Sequence, residues 1–316
     1  MDELQKQKTI TRATSSSDRP DRNVLINFFI FTLLMGGAPV AMRITYSEMD
    51  PFWMGFLRFG LGAVIYWVLV LAKRLQIPKG RALVGPLLYG ILSIGISFAL
   101  LAWGLVKTPA SLAAIFLALI PILTVFLSAI QKVELLTPQG IIGSLLSVTG
   151  TFIAVSAASS SNKISLIHIG ALILGVVFLA QGGIVIKRYP TNHPIITNAL
   201  AMTVGAIILA ITSWLAREAW VIPTQTATWA ALGYLVIFVS CIAFLLYLQV
   251  LNLWTASGTS YGFVVIPFIT VIISSILTGE QITLNLLIGC LVVMGGVVYG
   301  ALLPQKVRAT AECLTC

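Results

Sequence analysis

Apolar runs of about 20 residues, each closed by a short polar cluster, recur along nearly the whole chain and leave it few ways to fold. A helix rises 1.5 Å per residue, so a run of that length crosses the hydrocarbon of a bilayer. Ten such runs are read at about 24–43, 51–72, 82–106, 109–131, 138–157, 167–186, 194–216, 227–251, 255–278 and 281–303. Composition excludes a water-soluble alternative. Only 9% of the 316 residues are charged, against roughly a quarter in a soluble domain. The expected fold class is an all-α polytopic membrane protein with ten transmembrane helices. Residues 1–22 are polar and poor in aliphatics, which predicts a disordered cytoplasmic tail. They are too polar, and the first run too long, for a cleaved secretory signal. Residues 304–316 form a second short tail, also expected to be cytoplasmic.

The net charge of +9 is distributed as membrane topology requires rather than as a nucleic-acid surface. With the N-terminus inside and ten spans, the inner side holds Lys6, Lys8, Arg12, Arg19, Arg22, Lys73, Arg74, Lys79, Arg81, Lys132, Lys187, Arg188, Lys306 and Arg308. The outer side holds only Arg43, Lys107, Lys163 and Arg217. Basic residues concentrate on cytoplasmic loops, so this bias places both chain ends in the cytoplasm, in a plasma or inner membrane. The same residues can touch anionic lipid, and no nucleic-acid partner is expected. Cys241 and Cys290 fall in spans and read as small apolar packing groups. Cys313 and Cys316 have C-x-x-C spacing, but the tail offers no further ligands, so no metal or cofactor is expected.

A repeat organises the runs. Residues 96–150 laid over 242–296 without a gap give 18 identities in 55 positions. They include Phe98 with Phe244, Ile120-Pro121 with Ile266-Pro267, Glu134 with Glu280, Thr137 with Thr283, Gly143 with Gly289 and Gly150 with Gly296. The same offset of 146 sets Gly36-Gly37 on Gly182-Gly183 and Met35 on Gln181. It equals five spans, an odd number, so the second half is expected to enter the membrane upside down. Two inverted five-helix repeats around a central cavity are a transporter signature, because each half can take the other's conformation. The glycine pairs either let helices approach closely or soften a mobile cavity wall.

The segment "SSILTGEQITLNLLIGCLVVMGGVVYG" resembles the end of the EamA-type domain of the drug/metabolite transporter superfamily. The first half carries the corresponding "SAIQKVELLTPQGIIGSLLSVTG", with Val133 in place of the usual glycine. Further matches are "ASLAAIFLALIPILTVFLS", "ASGTSYGFVVIPFITVIISS" and "FLRFGLGA", so that residues 23–157 and 167–303 each form one domain-like repeat. The chain departs from the family in having Met35-Gly36 and Gln181-Gly182 where Trp-Gly and Trp-Ala are common. The resemblance implies ten helices around a cavity, with export or exchange of small organic metabolites such as amino acids.

Individual residues divide between site and scaffold. Arg58 is the one ionisable side chain well inside a run, about 10 Å along its helix from Pro51. A charge at that depth faces a cavity, a partner or a gate, or it snorkels outward or bonds helix carbonyls. Gln181 needs amide partners near mid-membrane, from substrate or from a neighbouring helix. Trp103, Tyr247, Gln249, Trp254, Ser260 and Tyr261 are candidate cavity or gate residues, or interface anchors. Glu134 and Glu280, followed by Thr137 and Thr283, suit helix N-termini as caps, or an edge site for proton coupling. Pro121 and Pro267 read as mid-helix kinks, hinged or static. Every carboxylate lies in a tail, loop or span edge, which predicts facilitated transport or coupling through an edge glutamate. No Gly-rich loop ending in Lys-Ser/Thr is present, so an ATPase is not expected. A secondary carrier is the leading expectation. A membrane-embedded enzyme on lipid-linked substrates and a non-transporting scaffold are the alternatives. Oligomeric state has no sequence signature.

Overall fold

A computed structural model of the chain describes residues 21–108, 110–133, 138–159, 165–278, 283–297 and 299–300. Its regular elements there are all helical. The first half contains α1 (Arg22–Gly36), α2 (Ala38–Thr45), α3 (Pro51–Ala72), α4 (Arg81–Tyr89), a π-helical segment (Gly90–Ile96), α5 (Ser97–Val106), α6 (Ala110–Leu117), α7 (Ile120–Ile130) and α8 (Pro138–Ser159). The second contains α9 (Leu166–Lys187), α10 (Pro194–Leu215), α11 (Thr226–Tyr234), a second π segment (Leu235–Ala243), α12 (Phe244–Leu253), α13 (Ala256–Ser260), α14 (Gly262–Thr278) and α15 (Leu284–Val297).

The breaks follow from local chemistry. Gly37 separates α1 from α2, and Pro39 opens the new helix, where its missing N–H costs no hydrogen bond. The equivalent stretch at Gly182-Gly183 has no proline and runs on as part of continuous α9. Pro121 departs from the sequence expectation of a mid-helix kink. The fourth run is two helices joined at Ala118–Leu119, and Pro121 sits in the first turn of the second. Pro267 does lie inside one helix, α14. The two π segments occupy repeat-related positions in the third and eighth runs. Such segments shift the hydrogen-bond ladder and concentrate at functional sites.

Among the described residues, eight helical stretches are long and apolar enough to cross a membrane. Their outward faces carry bare aliphatic and aromatic side chains, including Phe29, Val64, Leu71, Ile211, Leu253 and Ile276, which lipid covers at no cost and water does not. This is a polytopic helical membrane protein. α8 and α15 lie against each other. A Cβ added at Gly150 would stand 2.5 Å from the Gly289 carbonyl oxygen, and one at Gly296 2.5 Å from that of Gly143. The backbones therefore touch at two points, each a glycine of one helix on a glycine of the other. α3 packs along α10, with Gly55 against Leu209 and Gly62 against Met202. Lacking a hydrophobic drive between helices in lipid, such close van der Waals contact is what holds a bundle together.

Candidate functional site

A cavity enclosing about 740 Å³, counted out to its open mouth, occupies the middle of the bundle. Its wall is apolar almost throughout: Met35, Leu105, Ala113, Leu172, Leu179, Val239 and Ile266 are typical. Three pairs of lining residues are related by the 146-residue offset: Phe98 with Phe244, Leu101 with Tyr247, and Leu117 with Phe263. Each half thus supplies three repeat-equivalent positions to the wall. The one charged lining residue, among the described residues, is Arg58.

α3 carries Arg58 to the wall at 1% exposure. Its Nε donates to Ser240 Oγ at 2.9 Å, and one Nη1 N–H points at Met42 Sδ, 3.7 Å away. The guanidinium lies over the rings of Phe59 (4.7 Å) and Phe98 (5.1 Å), so aromatic faces take part of the role of counter-charge. Ser240 comes from the second π segment, whose Ser240 and Cys241 carbonyls also accept from Tyr66 Oη. Asn198 Nδ2 donates in turn to that Tyr66 oxygen at 3.0 Å. α3, α10 and the π segment are thereby tied together beside the cation.

Of the residues singled out from sequence, Arg58 and Tyr247 line the cavity. Gln181 does not. Its amide pairs with that of Gln131, just past the end of α7, in both directions, at 2.7 and 3.3 Å. Gln249 accepts from Asn27 at 3.3 Å. Trp103 is 40% exposed and packs on His168. Tyr261 is buried, its hydroxyl at Gly300, and Ser260 Oγ donates to the Ser257 carbonyl. Trp254 packs edge-on to Phe28. The glycines are contact points: Gly36 faces Ile269, Gly37 the Tyr234 hydroxyl, Gly182 the Ser93 hydroxyl and Gly183 that of Tyr247. Thr283 immediately precedes α15, and its carbonyl accepts from Leu287 N. Glu134, Thr137 and Glu280 lie outside the described residues, as do Cys313 and Cys316. Phe98, Met42, Tyr89 and Ser240 were not among the sequence candidates. The Phe98–Phe244 identity was the available signal for the first of them.

The two ends of the bundle are held differently. At one end Glu48 accepts from the Thr224 hydroxyl (2.5 Å) and from the Thr224 and Gln225 amides. Glu218 accepts from the Phe52 and Trp53 amides, Asp50 from that of Ala219, and Trp53 stacks on Trp220 at 5.0 Å. These bonds, the Thr224 hydroxyl foremost, hold the Glu48 carboxyl well below the usual range, at about 2. This carboxylate face stitches the 46–50 loop to the 216–225 loop. At the opposite, amide face lie the Gln131–Gln181 and Asn27–Gln249 pairs, with Arg188 donating to Gln131. Their repeat counterparts, Leu277 with Met35, Ile173 with Trp103, and Met42, carry no amide. A cation closes on a helix-end carbonyl at both faces: Arg43 on Leu105 and Thr108, Lys187 on Trp254.

Apolar helices that turn bare hydrocarbon outward around a central cavity define a multi-pass membrane protein. Two copies of one family model, the EamA-like transporter family, match residues 23–156 and 166–300. The chain belongs to that family, within the drug/metabolite transporter superfamily. Among its relatives, "Uncharacterized transporter YyaM" of Bacillus subtilis (strain 168) is 26% identical over 87% of this chain and 92% of its own length. "Uncharacterized inner membrane transporter YedA" of Escherichia coli (strain K12) is 23% identical over 81% and 83%. A solved crystal structure superposes with a TM-score of 0.71 at 20% identity, over 89% of this chain and 97% of the other, which shows the shared fold. The family takes a small-molecule substrate and is embedded in the membrane.

Proposed function

We propose that the protein is a secondary carrier that exports or exchanges small organic metabolites by alternating access. Ten transmembrane helices form two inverted five-helix halves, with both chain ends in the cytoplasm of a plasma or inner membrane. The observation that carries this reading is the cavity wall, to which repeat-related residues of the two halves contribute in pairs. Three further features support it: the duplicated family match, the two π segments at equivalent positions, and the reciprocal glycine crossing of α8 and α15. Gly143 meets the counterpart of Gly150, and Gly150 meets the counterpart of Gly143. That exchange of partners is the pattern a two-fold axis produces.

The basic-residue bias puts the carboxylate face outside. The cavity reaches Leu105 and Ala113, near the α5–α6 connection on that side, while amide pairs cross-link the other side. We therefore read this conformation as outward-facing. Alternation then requires the amide pairs to part and apolar contacts to close around Met35 and Met42.

Reconstitution into proteoliposomes tests the carrier reading. Flux of radiolabelled amino acids, organic acids, amines, nucleosides and sugars is followed with and without the protein. Saturable, protein-dependent flux of at least one solute supports it. Chemical conversion without flux, or folded protein with no flux, contradicts it.

A further inference from the structure

Among the described residues, the cavity holds one charge, Arg58, with no carboxylate beside it. Arg58 offers five N–H donors, of which one reaches a hydroxyl and another a thioether, a weak acceptor. No Asp or Glu lines the cavity among the described residues. Phe59 and Phe98 lie against the guanidinium, but a ring quadrupole offsets only part of a cation's desolvation. The remaining wall is aliphatic and aromatic, with the Tyr89 and Tyr247 side chains contributing hydroxyls but no charge.

Building on the carrier reading, we infer that this cavity selects compact amphipathic monocarboxylates over zwitterionic amino acids, with Arg58 as the carboxylate's partner and the repeated Phe98, Phe244, Leu101, Leu117 and Phe263 surface as the seat for an apolar body. One carboxylate matches one guanidinium in charge, and the planar fork matches it in geometry. The filled cavity is then electrically neutral in a low-dielectric wall. A zwitterion brings an ammonium group with no anionic partner, and a phenolic oxygen can accept its hydrogen bond without compensating its charge. A neutral amide leaves Arg58 as it was. A dianion exceeds the single cation.

Two matched probe series separate these cases: 4-methylpentanoate, 4-methylpentanamide and L-leucine, and 3-phenylpropanoate, 3-phenylpropanamide and L-phenylalanine. Within each series the apolar body is the same and only the charged groups change. Calorimetric titration of the protein in nanodiscs is expected to show at least one carboxylate binding tenfold or more tighter than its amide and its amino acid. Arg58→Gln is expected to remove that preference, and Arg58→Lys to keep part of it. Equal or tighter binding of the amino acids, binding of none of the six, or an undiminished carboxylate preference in folded Arg58→Gln would overturn the inference. If Arg58→Gln does not fold, the ranking on the unmodified protein decides alone. Carboxylate binding without flux in proteoliposomes sinks the carrier reading and leaves the site assignment standing. Flux of zwitterions in preference to carboxylates does the reverse.

Discussion

Gly150 meets Gly289 with no room for a side chain, and a Cβ on Gly150 would lie 2.5 Å from the Gly289 carbonyl oxygen. The obstruction is backbone, which cannot swing aside as a flexible side chain can. Gly150→Val is therefore expected to push α8 off α15 and to lower stability by about 1–3 kcal/mol, as overpacking does. Thermal unfolding in detergent reads the effect. Gly170, where a Cβ meets nothing within 4 Å, is the control. A Gly170→Val variant as damaged as Gly150→Val would refute the close crossing.

Gly182 offers a different test, because its obstruction is the Ser93 hydroxyl rather than backbone. Gly182→Ala is expected to destabilise by less than the α8–α15 variant, since the Ser93 hydroxyl can rotate away at the loss of its bond to the Leu179 carbonyl, and Ser93→Gly in the same chain to restore a large part of it. A double-mutant cycle measures the coupling, expected at about 0.5–3 kcal/mol. Strict additivity would mean that α9 and the first π segment are not in contact there.

The amide face should behave as a lock. Gln181→Leu removes the Gln131–Gln181 pair and mimics its apolar counterpart, Met35. Interhelical hydrogen bonds in membranes contribute about 0.6 kcal/mol on average and up to about 1.7. The population open to that face should therefore rise roughly three- to eighteen-fold. Labelling of a single cysteine at Phe263→Cys, in a background without Cys241, Cys290, Cys313 and Cys316, reports the change as a rate. An unchanged rate in Gln181→Leu would show that the pair does not hold the face shut.

The carboxylate face should loosen in acid. Glu48 is held at about 2, below its ordinary 4.5, so it binds a proton more weakly folded than unfolded. Its contribution to holding the two loops is complete above pH 4.5 and is lost as pH falls towards 2. Protection of the Thr224 and Gln225 amides from hydrogen exchange, taken relative to the intrinsic rate at each pH, should fall over that window. Glu48→Gln should show a smaller fall in protection, since it cannot gain the proton. Identical pH profiles for the two proteins would contradict the assignment.

Much of this was legible in the chain because membrane helices are written in length and hydropathy. The described parts of the apolar runs between 24–43 and 281–303 are mostly helical, broken at such points as Gly37, Ala118–Leu119 and Tyr261. The 146-residue register also picked out Phe98 and Phe244, which meet at 6.0 Å on the cavity wall. Side-chain direction was not legible. Periodicity in a helix apolar on all sides has no polar face to mark, so Gln181, Gln249 and Trp103 could not be told from lining residues. Pro121 was misread for a related reason. A proline at the start of a second helix and one inside a single helix have the same sequence, and the break at Ala118–Leu119 contains no glycine or polar residue to announce it. The π segments leave no sequence pattern at all. Ser240 gained its place beside Arg58 through one of them.

Exchange of access between the two sides is the claim on which the rest depends, and Leu117, paired by the repeat with Phe263, lines the shared cavity. A single cysteine at Leu117→Cys, in the cysteine-free background and in vesicles of known orientation, can be offered a membrane-impermeant maleimide from either side in turn. Labelling from both sides, with the amide-face rate raised by Gln181→Leu, is the expected result. Labelling from one side alone, unchanged by Gln181→Leu, would contradict alternating access between two inverted halves.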